Sequence, residues 1–599
     1  RRQQPDAPLA TTELQGGWFS QVGGMLSEDQ SGVTASQINN LTLFAIQNGD
    51  TIVNYYMLFG GTNPGGWAAR DLTTSYDYNA PIREWGGSGD RYQRVWALGH
   101  FLQEHGAALA RSEAVECDVT GTQPDVTVAE RRAPDGGRYY FVRTSQHDQP
   151  REGTAHVKEK SAAGASEISF AYQLEPFGSK VLYLAPGVSD AAQGQWLPKP
   201  APAIERPAEL PAAVKITSAR TQSDPGPAHW DKFKMGQNLA QLGIYDNDFV
   251  FYRGKISSRT ATNLMIVYPA SDALLATING KSAARVGGPA GGSIFALPAG
   301  SSRELFLYEN HGHANIGPDL ANPSGIFRAQ LVSGPSGDGQ PLSSWRMHLV
   351  DHSSGDQPEI RPEFNDADWP VVDVSPRDAS QLTAGQTAVF RAQLQVSKTD
   401  LASGQWSLEL GRIDDNGLIY VNGEKVGETA NWSQAYSFNV TKQLHPGSNV
   451  IAVIVRNHDG PGGLGAPSIE RVAPLALDAF GRPAGFEEQW WQPDFNAKHW
   501  QTIAIGDDSA ASANDSLLNW YRMDFQLPPT KPGVWVPWRL HLEAAGNGFL
   551  YLNGHALGRY WDIGPQHDFF LPECWLNFGD GRTNNLTLSL RPLDKGASI

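Results

Sequence analysis

A short turn-rich stretch from Tyr56 to Ile82, YMLFGGTNPGGWAARDLTTSYDYNAPI, concentrates aromatic rings and hydrogen-bonding groups. It holds Tyr56, Tyr76 and Tyr78, together with a Gly-Gly-Thr-Asn segment that ends at Asn63. Aromatic rings stack on the apolar faces of sugars, and sugar hydroxyls need donors and acceptors such as phenol and amide groups. These residue types, placed in loops after an apolar run, predict a carbohydrate site.

The elements that must position this stretch are typical of an α/β arrangement. Residues 34–50 carry apolar side chains at helical spacing and end at Asn48-Gly49, which predicts a helix. Residues 51–59 are almost continuously apolar and predict a buried strand, and residues 91–110 predict a second helix. The order strand, helix, strand, loop and helix amounts to about two βα units.

From about residue 111 the pattern changes to short alternating strands, and a Pro-rich connector covers 196–214. The remainder contains an internal repeat with a period of about 130–140 residues. A tryptophan opens each copy, and an Asn-Gly pair in each copy predicts a tight turn between two strands. We interpret the copies as three jelly-roll β-modules. The matching residues are Trp230, Trp369, Trp500, Asn279, Asn422 and Asn553.

Composition excludes several classes of protein. The chain has 599 residues, enough for about four domains with cores of their own, and its formal net charge of −16 disfavours nucleic acid as a partner. Cys117 and Cys574 lie in different predicted domains, so no disulfide framework is expected. No apolar run is long enough to span a membrane. His311 and His313 lack a third neighbouring ligand in the sequence, so no metal is expected.

Three blocks of the N-terminal region resemble the end of the catalytic domain of family-35 glycoside hydrolases, the β-galactosidases. They are TTELQGGWFSQVGG at 11–24, NYYMLFGGTN at 54–63 and TSYDYNAPIREWG at 74–86. LFLYENHGHANIG at 305–317 and GFLYLNGHALGRYWDIGPQHDFFLPECWL at 548–576 are similar to segments of the accessory β-domains of that family. The likeness therefore extends in separated blocks over most of the chain.

The resemblance implies a catalytic TIM barrel with its site at the carboxyl ends of the strands. It implies that Glu13 is the nucleophile at the end of the seventh strand and that Tyr56 lies close by at the end of the eighth. Tyr76 and Tyr78 would line the pocket, and Trp18 would be a wall of the sugar subsite. The two remaining candidates for sugar contact are Asn63 and Gln15, the latter at a position where the family often has an aromatic residue.

The chemistry of these residues agrees with that implication. A retaining glycosidase needs a carboxylate that attacks the anomeric carbon, and a second carboxylic acid about 5–5.5 Å away to protonate the leaving oxygen. Tyrosine hydroxyls are suitable donors to keep the nucleophile ionised. No cofactor is needed for this reaction. The expected substrates are terminal, non-reducing β-D-galactosyl residues of oligosaccharides or polysaccharide side chains.

The acid/base of the family is an Asn-Glu on the fourth barrel strand, far upstream of the nucleophile, and only 12 residues precede Glu13. We therefore expect the chain to act as the C-terminal portion of a longer enzyme. The missing barrel units are expected to be present as a separate polypeptide. The substrate class favours secretion or a periplasmic location, with the signal in the missing portion.

Two alternatives remain open. The chain is either such a hydrolase or a non-catalytic carbohydrate-binding remnant, and a related exo-β-glycosidase such as a β-glucosaminidase is a further possibility for the sugar. The predicted fold is multidomain, the end of a TIM (β/α)8 barrel followed by several all-β sandwich or jelly-roll domains. The predicted domains are the two βα units at 1–110, a β-sandwich with linker at 111–214, and β-modules at 215–350, 351–475 and 476–599.

Overall fold

The N-terminal region contains a two-stranded parallel sheet and two helices. In this computed structural model, strand β1 is Leu9–Gln15, helix α1 is Ala35–Gln47, strand β2 is Asp50–Tyr56 and helix α2 is Asp90–Ala110. Helix α1 connects β1 to β2, as a crossover between parallel strands requires. This region is a βαβ unit followed by a long loop and α2.

The structure describes most of the chain. The described residues are 7–30, 34–65, 71–160, 167–203, 210–245, 249–258, 261–269, 272–287, 292–312, 324–332, 340–342, 344–351, 357–376, 379–402, 405–430, 432, 435–506 and 516–593.

Both predicted helices are confirmed. The side-chain oxygen of Thr34 caps α1 by accepting a hydrogen bond from the backbone N–H of Gln37 at 3.2 Å. The helix ends at Asn48, and Gly49 takes a φ of 93°, which glycine adopts without strain. The predicted burial of β2 is wrong: Ile52 is 51% exposed, because β1 is the only strand paired with β2 among the described residues.

A short antiparallel hairpin lies in the long loop between β2 and α2. Its strands, β3 (Gly61–Thr62) and β4 (Ser75–Tyr76), place Tyr76 opposite Gly61. The pairing fixes the backbone of the loop at residues 61–62 and 75–76.

The two helices pack against a β-sandwich. Leu43 of α1 and Phe101 of α2 share a core cluster with Tyr139 and Phe141, which lie on the five-stranded sheet of the sandwich. A three-stranded sheet faces it across a second cluster. The eight strands are Glu113–Val115, Cys117–Thr120, Val126–Arg132, Arg138–Thr144, Arg151–Glu159, Glu167–Leu174, Ser179–Leu184 and Gln195–Leu197, with a 3-10 turn at Ala191–Gln193.

The first repeat consists of a six-stranded sheet packed on part of an eight-stranded sheet. The six-stranded sheet runs, in spatial order, through Asp231–Lys232, Ala479–Gly481, Phe249–Ser258, Gly300–Glu309, Ala273–Ile278 and Lys281–Ser282. The eight-stranded sheet contains Arg285–Gly287, Gly292–Leu297, Thr262–Val267, Arg328–Val332, Ser468–Leu475, Gln405–Leu410 and Tyr436–Asn439, and Gln340–Pro341 also pairs with Ser468–Leu475. A 3-10 turn covers Ala240–Leu242.

The second repeat shares that eight-stranded sheet and adds a five-stranded one. The strands of the added sheet are Arg346–Leu349, Thr387–Val396, Gly447–Arg456, Asn416–Val421 and Glu424–Thr429, and a two-stranded ladder joins Arg412–Asp414 to Gly463–Gly465. A helix at Lys398–Ala402 and a 3-10 turn at Pro358–Ile360 complete it.

The third repeat is built on another six-stranded sheet. Its strands are Gln501–Ala504, Ser218–Ser223, Asn519–Phe525, Asn584–Pro592, Gly546–Leu552 and His555–Trp561, and a smaller ladder pairs Trp538–His541 with Asp568–Leu571. Helix Ala484–Glu487 and the 3-10 turn Glu573–Trp575 belong to the same repeat. We call the part from 484 to 592, together with strand Ser218–Ser223, the C-terminal module.

The Asn-Gly turns are as the sequence predicts. Asn279, Asn422 and Asn553 have φ values of 53°, 52° and 49°, and each is followed by a glycine of positive φ. In all three turns the asparagine side-chain oxygen accepts a hydrogen bond from a backbone N–H of the neighbouring strand. The repeat seen in the sequence is therefore a repeat of the same structural unit.

Several strands pair across the boundaries drawn from the sequence. Arg346–Leu349 lies in the predicted first module but pairs with Thr387–Val396 of the second. Ser218–Ser223 lies in the predicted first module but pairs with Asn519–Phe525 of the C-terminal module. Ala479–Gly481 lies in the predicted third module but pairs with Phe249–Ser258 of the first. Sheet pairing joins residues distant in sequence, so linker composition alone does not locate these exchanges. The fold class is multidomain and mostly β. In the described residues, the strands of the two βα units pair only with each other and form an open two-stranded sheet.

Candidate active site

Glu13 lies near the carboxyl end of β1, and its side chain is exposed. The end of β1 is fixed beside β2, because Gln15 pairs with Tyr56 and the Gly16 N–H donates to the Tyr56 carbonyl at 2.9 Å. The buried Arg91 at the start of α2 donates from Nη1 to the Gly16 carbonyl at 2.9 Å. The backbone that presents Glu13 is therefore held from two sides.

Two glycines after β1 allow the tyrosine loop, residues 72–84, to come close. A Cβ on Gly16 would lie 2.2 Å from the Met57 carbonyl oxygen, and one on Gly17 would lie 1.7 Å from the Tyr78 carbonyl oxygen. The N–H of Trp18 donates to that same Tyr78 carbonyl at 3.0 Å. A larger residue at Gly17 would push the tyrosine loop away from the strand that carries Glu13, and one at Gly16 would push away Met57, which directly follows β2.

The three tyrosines predicted from the sequence come together. The hydroxyls of Tyr56 and Tyr76 are 3.1 Å apart, and the ring of Tyr78 meets the rings of Tyr56 and Tyr76 at centroid distances of 5.4 and 5.5 Å. Burial and the hydrogen bond to Tyr56, with a smaller contribution from the Glu13 carboxylate, raise the pKa of Tyr76 above its usual range. Burial, Tyr56 and Glu13 raise the pKa of Tyr78 to about 12. Both phenols are therefore neutral donors at physiological pH, close enough to Glu13 to experience its charge.

Trp18 forms one side of this cluster and is 40% exposed. Its ring stacks on Phe19 at 4.8 Å, and Phe19 in turn lies parallel to Tyr76 at 6.5 Å. We did not single out Phe19 from the sequence, although it directly follows Trp18 in the quoted block. An exposed, partly stacked indole is a suitable wall for a sugar ring.

The remaining two predicted residues make contacts within the protein. The Asn63 side chain donates to the Thr73 carbonyl at 3.2 Å, and its backbone N–H donates to the Thr74 carbonyl at 2.8 Å, so it extends the β3–β4 ladder on the side of the connecting loop. The Gln15 side-chain oxygen accepts from the Gln37 amide of α1 at 3.2 Å.

Two acidic residues that sequence reasoning did not place in the site organise the tyrosine loop. The buried Asp77 carboxylate accepts from Arg83 Nε and from the Glu84 N–H, both at 2.7 Å. Glu84 in turn accepts from the Thr62 hydroxyl at 2.5 Å and the Ser75 hydroxyl at 2.6 Å. Burial raises the pKa of Glu84 to about 7, against the opposing effect of these two hydroxyls. Asp77 was visible between two tyrosines, but its role depends on a turn that the sequence does not specify.

No metal centre is apparent in the part of the chain that the structure describes, since no group of three or more His, Cys, Asp or Glu side chains is placed to hold an ion there. His313 lies outside the described residues, and His311 is 3.0 Å from the buried Glu309 carboxylate. No helix within the described ranges is long and apolar enough to cross a membrane.

Comparison with known proteins finds glycoside hydrolases among the relatives of this chain, which spans less than a fifth of the length of the first of them. The sequence model for Glycosyl hydrolases family 35 matches residues 1–102, the region that contains Glu13 and the tyrosine loop. The model for the beta-galactosidase galactose-binding domain matches 518–581, and that for a glycosyl hydrolase 2 galactose-binding domain-like unit matches 370–460. The resemblance to family-35 β-galactosidases is thereby confirmed.

Individual relatives point the same way. A probable beta-galactosidase B of Sclerotinia sclerotiorum is 30% identical over 30% of this chain and 18% of its own length. A probable beta-galactosidase C of Talaromyces marneffei is 22% identical over 99% of this chain and 69% of its own length. A glycosyl hydrolase family 2 member from Bacteroides cellulosilyticus aligns over 42% of this chain and 31% of its own at 12% identity, with a TM-score of 0.20, too low to support an argument.

Proposed function

We propose that this chain provides the nucleophile and the accessory domains of an exo-acting, retaining β-galactosidase that removes terminal non-reducing β-D-galactosyl residues. One observation carries the proposal. Glu13 lies near the end of strand β1, in the segment that matches family 35, and its carboxylate is close enough to Tyr76 and Tyr78 to help raise their pKa values, while the Tyr76 hydroxyl meets that of Tyr56 at 3.1 Å. Charge, hydroxyl donors and exposed aromatic surface converge there, which is what attack on a sugar carbon needs.

In the proposed first step, a Glu13 oxygen attacks the anomeric carbon and the bond to the leaving oxygen breaks. A second carboxylic acid gives that oxygen its proton, and a galactosyl ester of Glu13 remains. In the second step the acid/base residue, now a carboxylate, takes a proton from water. The oxygen of that water attacks the anomeric carbon and displaces Glu13. The neutral phenols of Tyr76 and Tyr78, whose pKa values the Glu13 carboxylate helps to raise, are available as hydrogen-bond donors in the proposed pocket.

The two βα units are proposed to be the end of a (β/α)8 barrel. The β1–β2 sheet leaves strand edges unpaired among the described residues, and Ile52, Leu58 and Phe59 are 51%, 43% and 54% exposed. Open parallel edges and exposed apolar side chains are normally covered in folded proteins. We propose that further barrel units on a separate polypeptide cover them and supply the acid/base carboxylate.

The test is a denaturing intact-mass measurement on the purified protein before and after treatment with an activated 2-fluoro-galactoside. We expect a second polypeptide in the sample and a sugar-sized mass gain on a peptide that contains Glu13. Glu13→Gln should abolish the gain, and Glu116→Gln, an exposed carboxylate in the sandwich, should leave it unchanged.

Three results would overturn parts of the proposal. Labelling by a 2-fluoro-glucosaminide analogue alone would replace galactose with another sugar. Galactoside binding without label or turnover would identify a non-catalytic binding protein. A single 65.1 kDa species that takes up label and turns over substrate would exclude the separate polypeptide.

Since the proposed substrates lie outside the cytoplasm, secretion or periplasmic location is part of the proposal, and fractionation of the source cells tests it.

A further inference from the structure

The tyrosine loop is held by the C-terminal module. Thr74 sits against Gly558, where a Cβ would come within 2.3 Å of the threonine side chain. The Arg559 N–H donates to the Thr74 hydroxyl at 2.7 Å, and that hydroxyl is 3.2 Å from the Arg559 carbonyl. The tyrosine loop is thus packed against one strand of a module 485 residues away in sequence.

The Arg559 side chain extends this contact. It is only 4% exposed, and its guanidinium donates to the Leu72 carbonyl at 2.7 Å and to the His311 carbonyl, while it lies 4.4 Å from the centroid of the Trp561 ring. Burial lowers the pKa of Arg559 to about 10, which still leaves it charged at neutral pH. A buried cation is costly unless its donors are used, and here one of them fixes the start of the tyrosine loop.

Gln566 completes the attachment one residue before Tyr76. Its side-chain oxygen accepts from the Ser75 N–H at 2.9 Å, and its amide donates to the Asp568 carbonyl at 3.0 Å, so the acceptor is oriented by its own module. Gln566 is 6% exposed. The next residue along the loop carries the hydroxyl that meets Tyr56 at 3.1 Å.

We infer that Arg559 and Gln566 are positioning residues of the active site, through which the C-terminal module sets the place of Tyr76 and Tyr78. The inference rests on the proposed function for its catalytic consequence. Catalytic groups must be held within about 0.5 Å of their working geometry, and a displacement of about 1 Å can cost up to about 100-fold in rate. The match to the galactose-binding domain at 518–581 covers both residues. By this inference, a region whose family model is named for galactose binding also positions a loop that is distant in sequence.

The test compares three variants of the active protein. Gln566→Met keeps the length of the side chain but removes the acceptor for the Ser75 N–H. Gln566→Glu keeps an acceptor oxygen at the same place. Gln501→Met makes the same change at an exposed position on the edge strand of the six-stranded sheet in the C-terminal module. We expect Gln566→Met to lower kcat about 10-fold with KM within about twofold, Gln566→Glu to recover to within about threefold, and Gln501→Met to match the wild type.

Hydrogen exchange of the peptide that covers 72–79 separates this inference from the proposed function. We expect the Ser75 and Tyr76 amides to exchange at least about 10-fold faster in Gln566→Met than in Gln501→Met, whether or not the protein is active. A wild type without galactosidase activity but with this exchange difference would refute the proposed function alone. Unchanged exchange at 72–79, or faster exchange with kcat unchanged in an active enzyme, would overturn the positioning role.

Discussion

The Asn-Gly turns of the β-modules and the tyrosine loop are both tight turns with left-handed residues, yet they find their partners at very different distances. Asn279, Asn422 and Asn553 bond backbone groups 24, 28 and 32 residues away. Tyr78 also has a positive φ, of 62°, but its loop is attached to a strand 485 residues away. The Asn-Gly turns of the modules are stabilised locally, whereas the candidate active site depends on assembly of distant regions.

This difference predicts that substitutions in the modules affect stability, whereas substitutions in the tyrosine loop affect activity. A change in a module turn should reduce the stability of its own sheet and leave the site intact. A change in the tyrosine loop should affect activity while the module cores, which contain most of the buried apolar side chains, persist. The following four expectations test that separation, from the largest effect on activity to the smallest.

The largest effect is expected from Glu13→Gln. The amide cannot act as the nucleophile, so kcat should fall by at least about 1,000-fold in the assembled enzyme. Because Glu13 is exposed and pairs with no cation among the described residues, the unfolding midpoint should not change. Steady-state hydrolysis of an aryl galactoside and thermal unfolding measure the two quantities. A large loss of stability would mean that the comparison fails at its central residue.

Tyr76→Phe should come second. It keeps the ring beside Phe19 but removes the hydroxyl that meets Tyr56 at 3.1 Å. Loss of one donor near the reacting carboxylate should lower kcat about 10- to 100-fold with little change in the free energy of unfolding. Tyr92→Phe on α2 is the matched control and should keep full activity. Equal activity of the two variants would remove Tyr76 from the site.

Glu84→Gln should change how the tyrosine loop responds to pH. Burial raises the pKa of Glu84 from 4.5 to about 7, so the folded loop binds a proton more tightly than the opened loop. The resulting stabilisation is complete below about pH 4.5 and is lost as pH rises through about 7, a change of about 1–3 kcal/mol in local opening. Amide exchange at Ser75 should therefore accelerate between pH 5 and 8 beyond its intrinsic pH dependence.

That acceleration should be absent in Glu84→Gln and retained in Glu28→Gln, whose carboxylate meets Arg83 from a largely exposed position at 3.6 Å. Activity of Glu84→Gln near pH 6 should stay within about threefold of the wild type. The same pH response in both variants would show that another group controls the loop.

The smallest effect on activity is expected from Asn422→Ala. Alanine loses the hydrogen bonds to Val450, Gln443 and Asn449 and is strained at the φ of 52°. The second module should lose about 2–3 kcal/mol of stability, and Asn422→Gly should recover about 1 kcal/mol because glycine accepts this φ. Denaturant unfolding measures both, with hydrolysis at wild-type rate. A parallel loss of activity would mean that the modules and the site are not separable.

The same difference in distance explains how far the sequence could be used for prediction. The helix end at Asn48-Gly49 and the Asn-Gly turns depend on neighbours close in the chain, and both formed where expected. The clustering of three tyrosines was foreseen only through resemblance to a family. The exposure of Ile52 was not foreseen, because burial depends on what covers a strand.

The support of the site had no local signal at all. Arg91 lies in the first turn of α2, and no sequence pattern there indicates its bond to the Gly16 carbonyl. Likewise, nothing in the sequence around Arg559 or Gln566 indicates a contact with Leu72 or Ser75. Sheet exchange was hidden for the same reason. Linker composition predicts that residues 215–350 form one module. Which strands pair depends on the three-dimensional fold, and linker composition does not report it.

The bond between Thr74 and Arg559 also sets an order of events during synthesis. At about 5–20 residues per second, a ribosome needs about 25–100 s to make the 485 residues that separate them. Helices α1 and α2 and the β-sandwich on which they pack have partners near in sequence and can fold early in that interval. The first two modules can follow once residues 468–481 have been made, whereas the tyrosine loop waits for its last attachment. A nascent chain arrested before residue 559 should therefore have folded early regions and an unattached tyrosine loop, so synthesis of the last module is the step that fixes this loop in place.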